Sequence, residues 1–165
     1  MLGLLADGER SGYDLHRCIE GSVGYFWAPA RSQIYAVLPR LVGSGLARRR
    51  HVRQETRPDK QLYRITPAGR SALATWLDRP VEPEPGHSVL LLKLFFGEYG
   101  DPEAMLAHVR GRRREAEQLK AELLAIEERT PHTEQDRYPA LTRRYGLEYA
   151  DGVIRWAKWA EAQLT

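Results

Sequence analysis

The chain has 165 residues, with 25 Lys/Arg against 22 Asp/Glu and a net charge of +3. That length suits one domain or two small ones and allows a real core, which dimerisation would enlarge. A single cysteine, Cys18, rules out an intramolecular disulfide framework and fits a reducing cytoplasm; no apolar run approaches the ~20 residues of a membrane span, and the start lacks the basic region of a secretion signal.

The charge is uneven. Residues 1–80 carry 13 Lys/Arg against 7 Asp/Glu, and residues 81–165 carry 12 against 15. A basic first half joined to a mildly acidic, helix-rich second half points to nucleic-acid binding in the first and assembly or sensing in the second.

Residues 1–7 read as a short apolar helix, or the end of one whose beginning is missing, closed by the turn signal Asp7-Gly8. Ser11 caps a second helix, with Asp14 three residues on in a capping-box arrangement, and Tyr13, Leu15, Cys18 and Ile19 as its apolar face. Tyr25-Phe26-Trp27 read as core beneath the flanking helices, with a base-stacking role as the alternative. In residues 28–46, Ile34, Val37, Leu38, Leu41 and Val42 share one helical arc, and Gly43 and Gly45 end the helix. Ser32, Ala36, Pro39, Arg40 and Gly43 share the other arc, flanked by Gln33 and Tyr35. That second face is small, flat and basic, as a helix lying deep in a groove requires. Pro39 removes one backbone hydrogen bond, so a kink is expected near Tyr35.

Two strands follow, the first holding Arg48, Arg49, Arg50, Val52 and Arg53, the second Leu62, Tyr63 and Ile65. Arg57-Pro58-Asp59-Lys60 is the hairpin tip. A hairpin directly after a helix-turn-helix is a wing. Thr66 caps the next helix, with Pro67 at its first position. Three prolines between Pro80 and Pro85 mark a semi-rigid linker, which gives residues 1–79 as one domain, 80–87 as linker and 88–165 as a second, helical domain. Ser88 caps a helix that is apolar nearly all round and should be buried. Asp101-Pro102 opens a long helix whose seam runs Met105, Val109, Arg112, Ala116, Leu119, Leu123, Ile126. Such a seam serves a partner chain or intrachain packing equally. After a loop at Thr130–Thr133, a last helix from about Pro139 to Leu164 aligns Leu141, Tyr145, Tyr149, Val153, Trp156 and Ala160 on one side; Gly146 and Gly152 inside it point to close helix packing or a kink there.

The segments Leu2-Gly3-Leu4-Leu5, Ser11-Gly12-Tyr13-Asp14-Leu15, Phe26-Trp27-Ala28-Pro29, Gln33-Ile34-Tyr35, Leu38-x-Arg40-Leu41, Gly45-Leu46 and Tyr63-Arg64-Ile65-Thr66-Pro67-Ala68-Gly69 resemble PadR-family transcriptional regulators in order and spacing. The second half resembles the longer C-terminal region of the family's Vir-like branch. The resemblance implies a mostly α protein with a small β-hairpin: an N-terminal winged helix-turn-helix and a C-terminal helical dimerisation domain. It implies a homodimer on pseudo-palindromic double-stranded DNA, commonly a repressor, in some members responsive to phenolic or planar hydrophobic compounds. Three departures stand out. The family usually has a few more residues before Leu2, Ala28 stands where a capping Ser is frequent, and Thr56 stands where a wing-tip Gly is frequent.

On this reading Gln33 faces an adenine edge, and Ser32 and Tyr35 bond phosphate or base. Arg31 and Arg40 hold the backbone, and Arg57 and Lys60 meet phosphate at the wing. Trp156 and Trp159, with Phe95 and Phe96, form dimer core or line a hydrophobic effector pocket. Enzyme chemistry is not expected: the five histidines are scattered without metal-ligand spacing, and there is no Gly-rich phosphate loop or implied cofactor. The alternative is a winged-helix protein-interaction module, or a small-molecule sensor without DNA readout.

Overall fold

In a computed structural model, the described residues are 1–53, 60–81, 88–131 and 133–165. The sequence expectations for Thr56 and the Arg57–Asp59 part of the wing tip, for most of the Pro-rich linker and for His132 lie outside them. The chain divides into two compact units, Met1–Pro83 and Glu84–Thr165.

The first unit begins not with a helix but with a single 3-10 turn, Gly3–Leu5, which buries Leu5. Helix α1 (Gly12–Glu20) carries the capping box that Ser11 and Asp14 predict: Asp14 N–H donates to Ser11 Oγ at 3.2 Å and Ser11 N–H to Asp14 Oδ2 at 3.0 Å. Its buried side is Gly12, Leu15 and Ile19; Tyr13 faces solvent and Cys18 is half-buried. Helix α2 (Arg31–Gly43) runs on across Pro39 and buries Ile34 and Leu38. Gly45, at φ +69°, turns the chain into strand β1 (Ala47–Val52), a conformation that favours glycine. Strand β2 (Lys60–Ile65) pairs antiparallel with β1, Ala47 opposite Ile65 and Val52 opposite Lys60.

The sequence did not reveal a third member of the wing. Arg10 and Tyr63 exchange both backbone hydrogen bonds, at 3.0 and 2.9 Å, which adds a one-residue strand to β2 and ties it to the start of α1. Helix α3 (Pro67–Leu77) is capped by Thr66. Leu5, Leu15, Ile19, Ile34, Leu38, Ala47, Tyr63 and Ile65 form the core beneath α2.

The second unit holds helix α4 (Val89–Phe95), a 3-10 turn, helix α5 (Pro102–Arg129), another 3-10 turn, and helix α6 (Arg137–Leu164). Ser88 and Asp101 cap α4 and α5 as their positions predict. α5 and α6 form an antiparallel pair, bridged by Arg113–Glu161 at 3.3 Å and Lys120–Asp151 at 2.7 Å. Val109, Ala116 and Leu123 of the expected α5 seam are buried, joined by Leu106. The seam's partner is α6 of the same chain.

One expectation fails here. α4 has no buried residue: it touches α5 along one side and leaves Val89, Leu91, Leu92, Phe95 and Phe96 exposed. On α6, Leu141, Tyr145 and Tyr149 are exposed, while Gly146, Leu147, Ala150, Ala157 and Ala160 are buried. Small residues let two helix axes approach closely, as Ala157 and Ala160 do beside Val109 of α5, where Trp156 packs at the edge.

Candidate nucleic-acid interface

Burying Ile34 and Leu38 turns the other side of α2 outward. Arg31, Ser32, Gln33, Tyr35, Ala36, Pro39 and Arg40 are all exposed on it. No ion pair among the described residues engages Arg31 or Arg40. Ala30, at the cap position, has no side chain able to bond the first turn. The positive end of α2 therefore stays open to a phosphate.

Gln33 has a local role as well. Its Oε1 accepts the Ala30 N–H at 3.0 Å, half of a capping box that an alanine cannot complete. A glutamine at the third helical position was the sequence signal for this bond. Reading adenine takes both ends of the amide. The amino group is unengaged, and the oxygen keeps a second lone pair beyond the Ala30 bond. Tyr35 stands half-exposed with its ring against Gly12 of α1.

Local carboxylates engage two wing cations. Lys60 Nζ lies 3.0 Å from Asp14 Oδ2, and Arg50 Nη2 lies 2.6 Å from Glu9 Oε2. Sequence reasoning placed Lys60 at phosphate and missed this competitor, since residues 14 and 60 meet only after β2 folds beside α1. Arg48, Arg49 and Arg53 are exposed. Partial burial pushes the Asp14 carboxyl up. The hydrogen bonds from Ser11 and the Lys60 ammonium outweigh that and hold it at about 2. A depressed carboxylate stabilises fully above its unfolded pKa, roughly 4, and loses that contribution as pH falls toward 2. We expect Asp14→Asn to flatten the first unit's stability loss between pH 4 and 2, followed by circular dichroism. An unchanged acid limb would show that Asp14 does not drive it.

Phe26 and Trp27, expected in the core, are 57% and 40% exposed, while Tyr25 is half-buried, its ring meeting Phe26 edge-on at 4.8 Å. The tight Gly24 turn explains this. Gly24 N–H bonds to Ile19 O at 2.7 Å, so Val23 packs on the core and the residues after it are carried outward.

In the second unit, Phe95, Phe96 and Trp159 are exposed, and Trp156 packs half-buried on Val109, Ala157 and Ala160. A groove of about 290 Å³ between α4 and α5 is lined by Val89, Leu90, Lys93, His108 and Arg112 among others, and by none of those four aromatics. On α6, Tyr138, Leu141, Tyr145, Tyr149, Trp156 and Trp159 fall within one arc of a 100° helical wheel and form a continuous aromatic stripe along its length. No group of three or more His, Cys, Asp or Glu among the described residues could hold a metal, and no described helix is long and apolar enough to cross a membrane.

Residues 1–75 match the model of the transcriptional regulator PadR-like family, and residues 88–165 that of the virulence activator alpha C-terminal region. The Mycobacterium tuberculosis protein named "Probable transcriptional regulator Rv1176c" is 35% identical over 136 residues, 76% of this chain and 72% of that one. This chain belongs to the PadR-like family of transcriptional regulators. Among solved structures, that of Bacillus subtilis PadR in complex with operator DNA is 26% identical, covers 99% of this chain and 96% of its own, and superposes with a TM-score of 0.85. The same Bacillus protein, with p-coumaric acid bound, gives 0.78 at 26% identity, covering 99% of this chain. In PadR-like terms the architecture is a winged helix followed by a helical C-terminal region, and the chain is a regulator, not an enzyme.

Proposed function

We propose that this regulator is a homodimeric repressor that binds a pseudo-palindromic operator through α2 and the wing. In this reading residues 1–79 bind DNA, 80–87 link, and 88–165 dimerise. A small hydrophobic or phenolic effector releases it. The observation that carries DNA binding is the α2 face, where Arg31, Ser32, Gln33, Tyr35 and Arg40 are presented together beside an open helix end. Arg31, Arg40, Arg57 and Lys60 position on phosphates; Gln33 and Tyr35 reach base edges. The effector class is taken from the Bacillus relative that binds p-coumaric acid.

A gel shift on the DNA upstream of the gene, across a salt series, tests this. We expect one protected near-palindromic site and a steep salt slope. Arg31→Ala should weaken binding evenly across sequences and reduce the slope by about 0.9. Gln33→Ala should cost roughly 1–3 kcal/mol on the operator and little on unrelated DNA. Weak, sequence-indifferent binding at low salt would instead favour the protein-interaction or sensor reading.

The dimer reading draws on the exposed α4 face and the aromatic stripe of α6. Exposed apolar surface of this extent is what a second copy would cover. Phe95→Glu with Tyr145→Glu is expected to give a monomer in sedimentation and to lower operator affinity. A dimer of unchanged stability would remove those faces from the interface.

A further inference from the structure

Gly12 is buried at the first position of α1, and its backbone does not call for glycine: among the described residues only Gly45 has positive φ. What calls for it is space. A Cβ at residue 12 would stand 2.7 Å from Tyr35 Cε1, 3.0 Å from Cζ and 3.2 Å from Cδ1. Carbon atoms settle at about 3.5–4.0 Å. A methyl group there would push the ring outward by roughly 0.8 Å or more, and the phenol oxygen beyond it further still.

The Tyr35 ring is the part free to move. It is 51% exposed, on the outer face of α2. Gly12 is not free. It sits between Ser11, which caps α1 with Asp14, and Leu15, buried with Ile34 and Leu38 in the core between α1 and α2. Asp14 is tied in turn to Lys60 on β2. The first turn of α1 is thus a fixed shelf, and the tyrosine ring lies on it.

We propose that Gly12 is a positioning residue for DNA recognition, its missing side chain setting where the Tyr35 phenol stands on the α2 face. The proposal rests on the DNA-binding reading above. It adds a determinant that touches no DNA itself and lies on a different helix from the groups that do. A contact group must be held to about 0.5 Å to keep its hydrogen bond, so losing this shelf should weaken the contact without unfolding the unit.

Two measurements on the full-length protein test it. In free protein, the Gly12 Hα resonances should carry a ring-current shift that Tyr35→Ala abolishes and Tyr35→Phe retains. On a duplex carrying the protected upstream site, Gly12→Ala should keep the wild-type thermal midpoint and lose about tenfold or more in affinity, close to the loss in Tyr35→Phe. In a Tyr35→Ala background, Gly12→Ala should cost nothing further, because the two act through one contact. The proposal is overturned if the ring-current shift is absent, if Tyr35→Phe binds as wild type, or if Gly12→Ala costs the same with and without the tyrosine. Failure of wild-type protein to bind the site, with the ring-current shift present, overturns the DNA-binding reading and takes the positioning role with it.

Discussion

Gly69→Ala should strongly destabilise the first unit. A Cβ there would lie 2.0 Å from Leu46 O and 3.0 Å from Leu46 C, with Ile65 Cγ1 at 2.8 Å. Two of those atoms are backbone and cannot rotate away. The same turn is stitched by Thr66, whose N–H donates to Leu46 O at 3.1 Å, whose hydroxyl donates to Gly45 O at 2.7 Å, and whose Oγ1 accepts the Gly69 N–H at 3.0 Å. Room for a methyl means moving α3 away from the α2–β1 turn and breaking those bonds. Overpacking costs about 1–3 kcal/mol and each lost hydrogen bond about 0.5–1.5. Roughly 3–6 kcal/mol is then removed from a domain whose whole stability is of order 5–15. We expect the first melting transition to fall by more than ~12 °C in calorimetry and operator binding to be lost at 37 °C. Gly43→Ala is the control, since no atom lies within 4 Å of its added Cβ. A Gly69→Ala midpoint within two degrees of wild type would mean that α3 shifts at no cost.

Local chemistry made much of this fold legible. Ser11, Thr66, Ser88 and Asp101 all cap where their spacing places them, because a cap needs only its own next three residues. The two faces of α2 were legible for the same reason. Periodicity shows that a face is apolar; it does not show what covers it. α4 is apolar all round, yet one chain covers only one side of it. α6 has two apolar arcs, one aromatic and one of glycine and alanine. Hydrophobicity favours the aromatic arc, whereas close helix approach selects the small one.

The candidate site was legible as a set of residues and hidden as a set of contacts. Arg31 and Arg40 stand as the pattern indicates. Lys60 meets Asp14, and Arg50 meets Glu9, across 46 and 41 positions of sequence, which no local pattern encodes. Gly12 under Tyr35 belongs to the same class. Its glycine looks like a turn residue until the helix across from it is in place.

The second large effect is expected at the start of α6. Arg143 Nη1 and Nη2 bond Asp136 Oδ1 and Oδ2 at 2.8 and 2.5 Å, both side chains buried. Replacing such a pair with apolar groups is often neutral, whereas removing one partner takes a desolvated counterion from the other and costs about 3–5 kcal/mol. The two single removals should not be equal. A guanidinium cannot shed its proton, so in Asp136→Asn Arg143 stays charged after losing two hydrogen bonds to an ionised carboxylate. Arg143→Met keeps a carboxylate at the N-terminal end of α6, where the helix dipole favours negative charge. Thermal midpoints of the second unit should therefore fall most in Asp136→Asn, by on the order of 15–30 °C, less in Arg143→Met, and least in the double variant Asp136→Leu/Arg143→Met. If this unit dimerises, the losses should shrink as protein concentration rises, because association draws on the folded state alone. Equal losses in the two single variants would show that the carboxylate gains nothing from the helix end, and the pair would then act as one unit of desolvated charge.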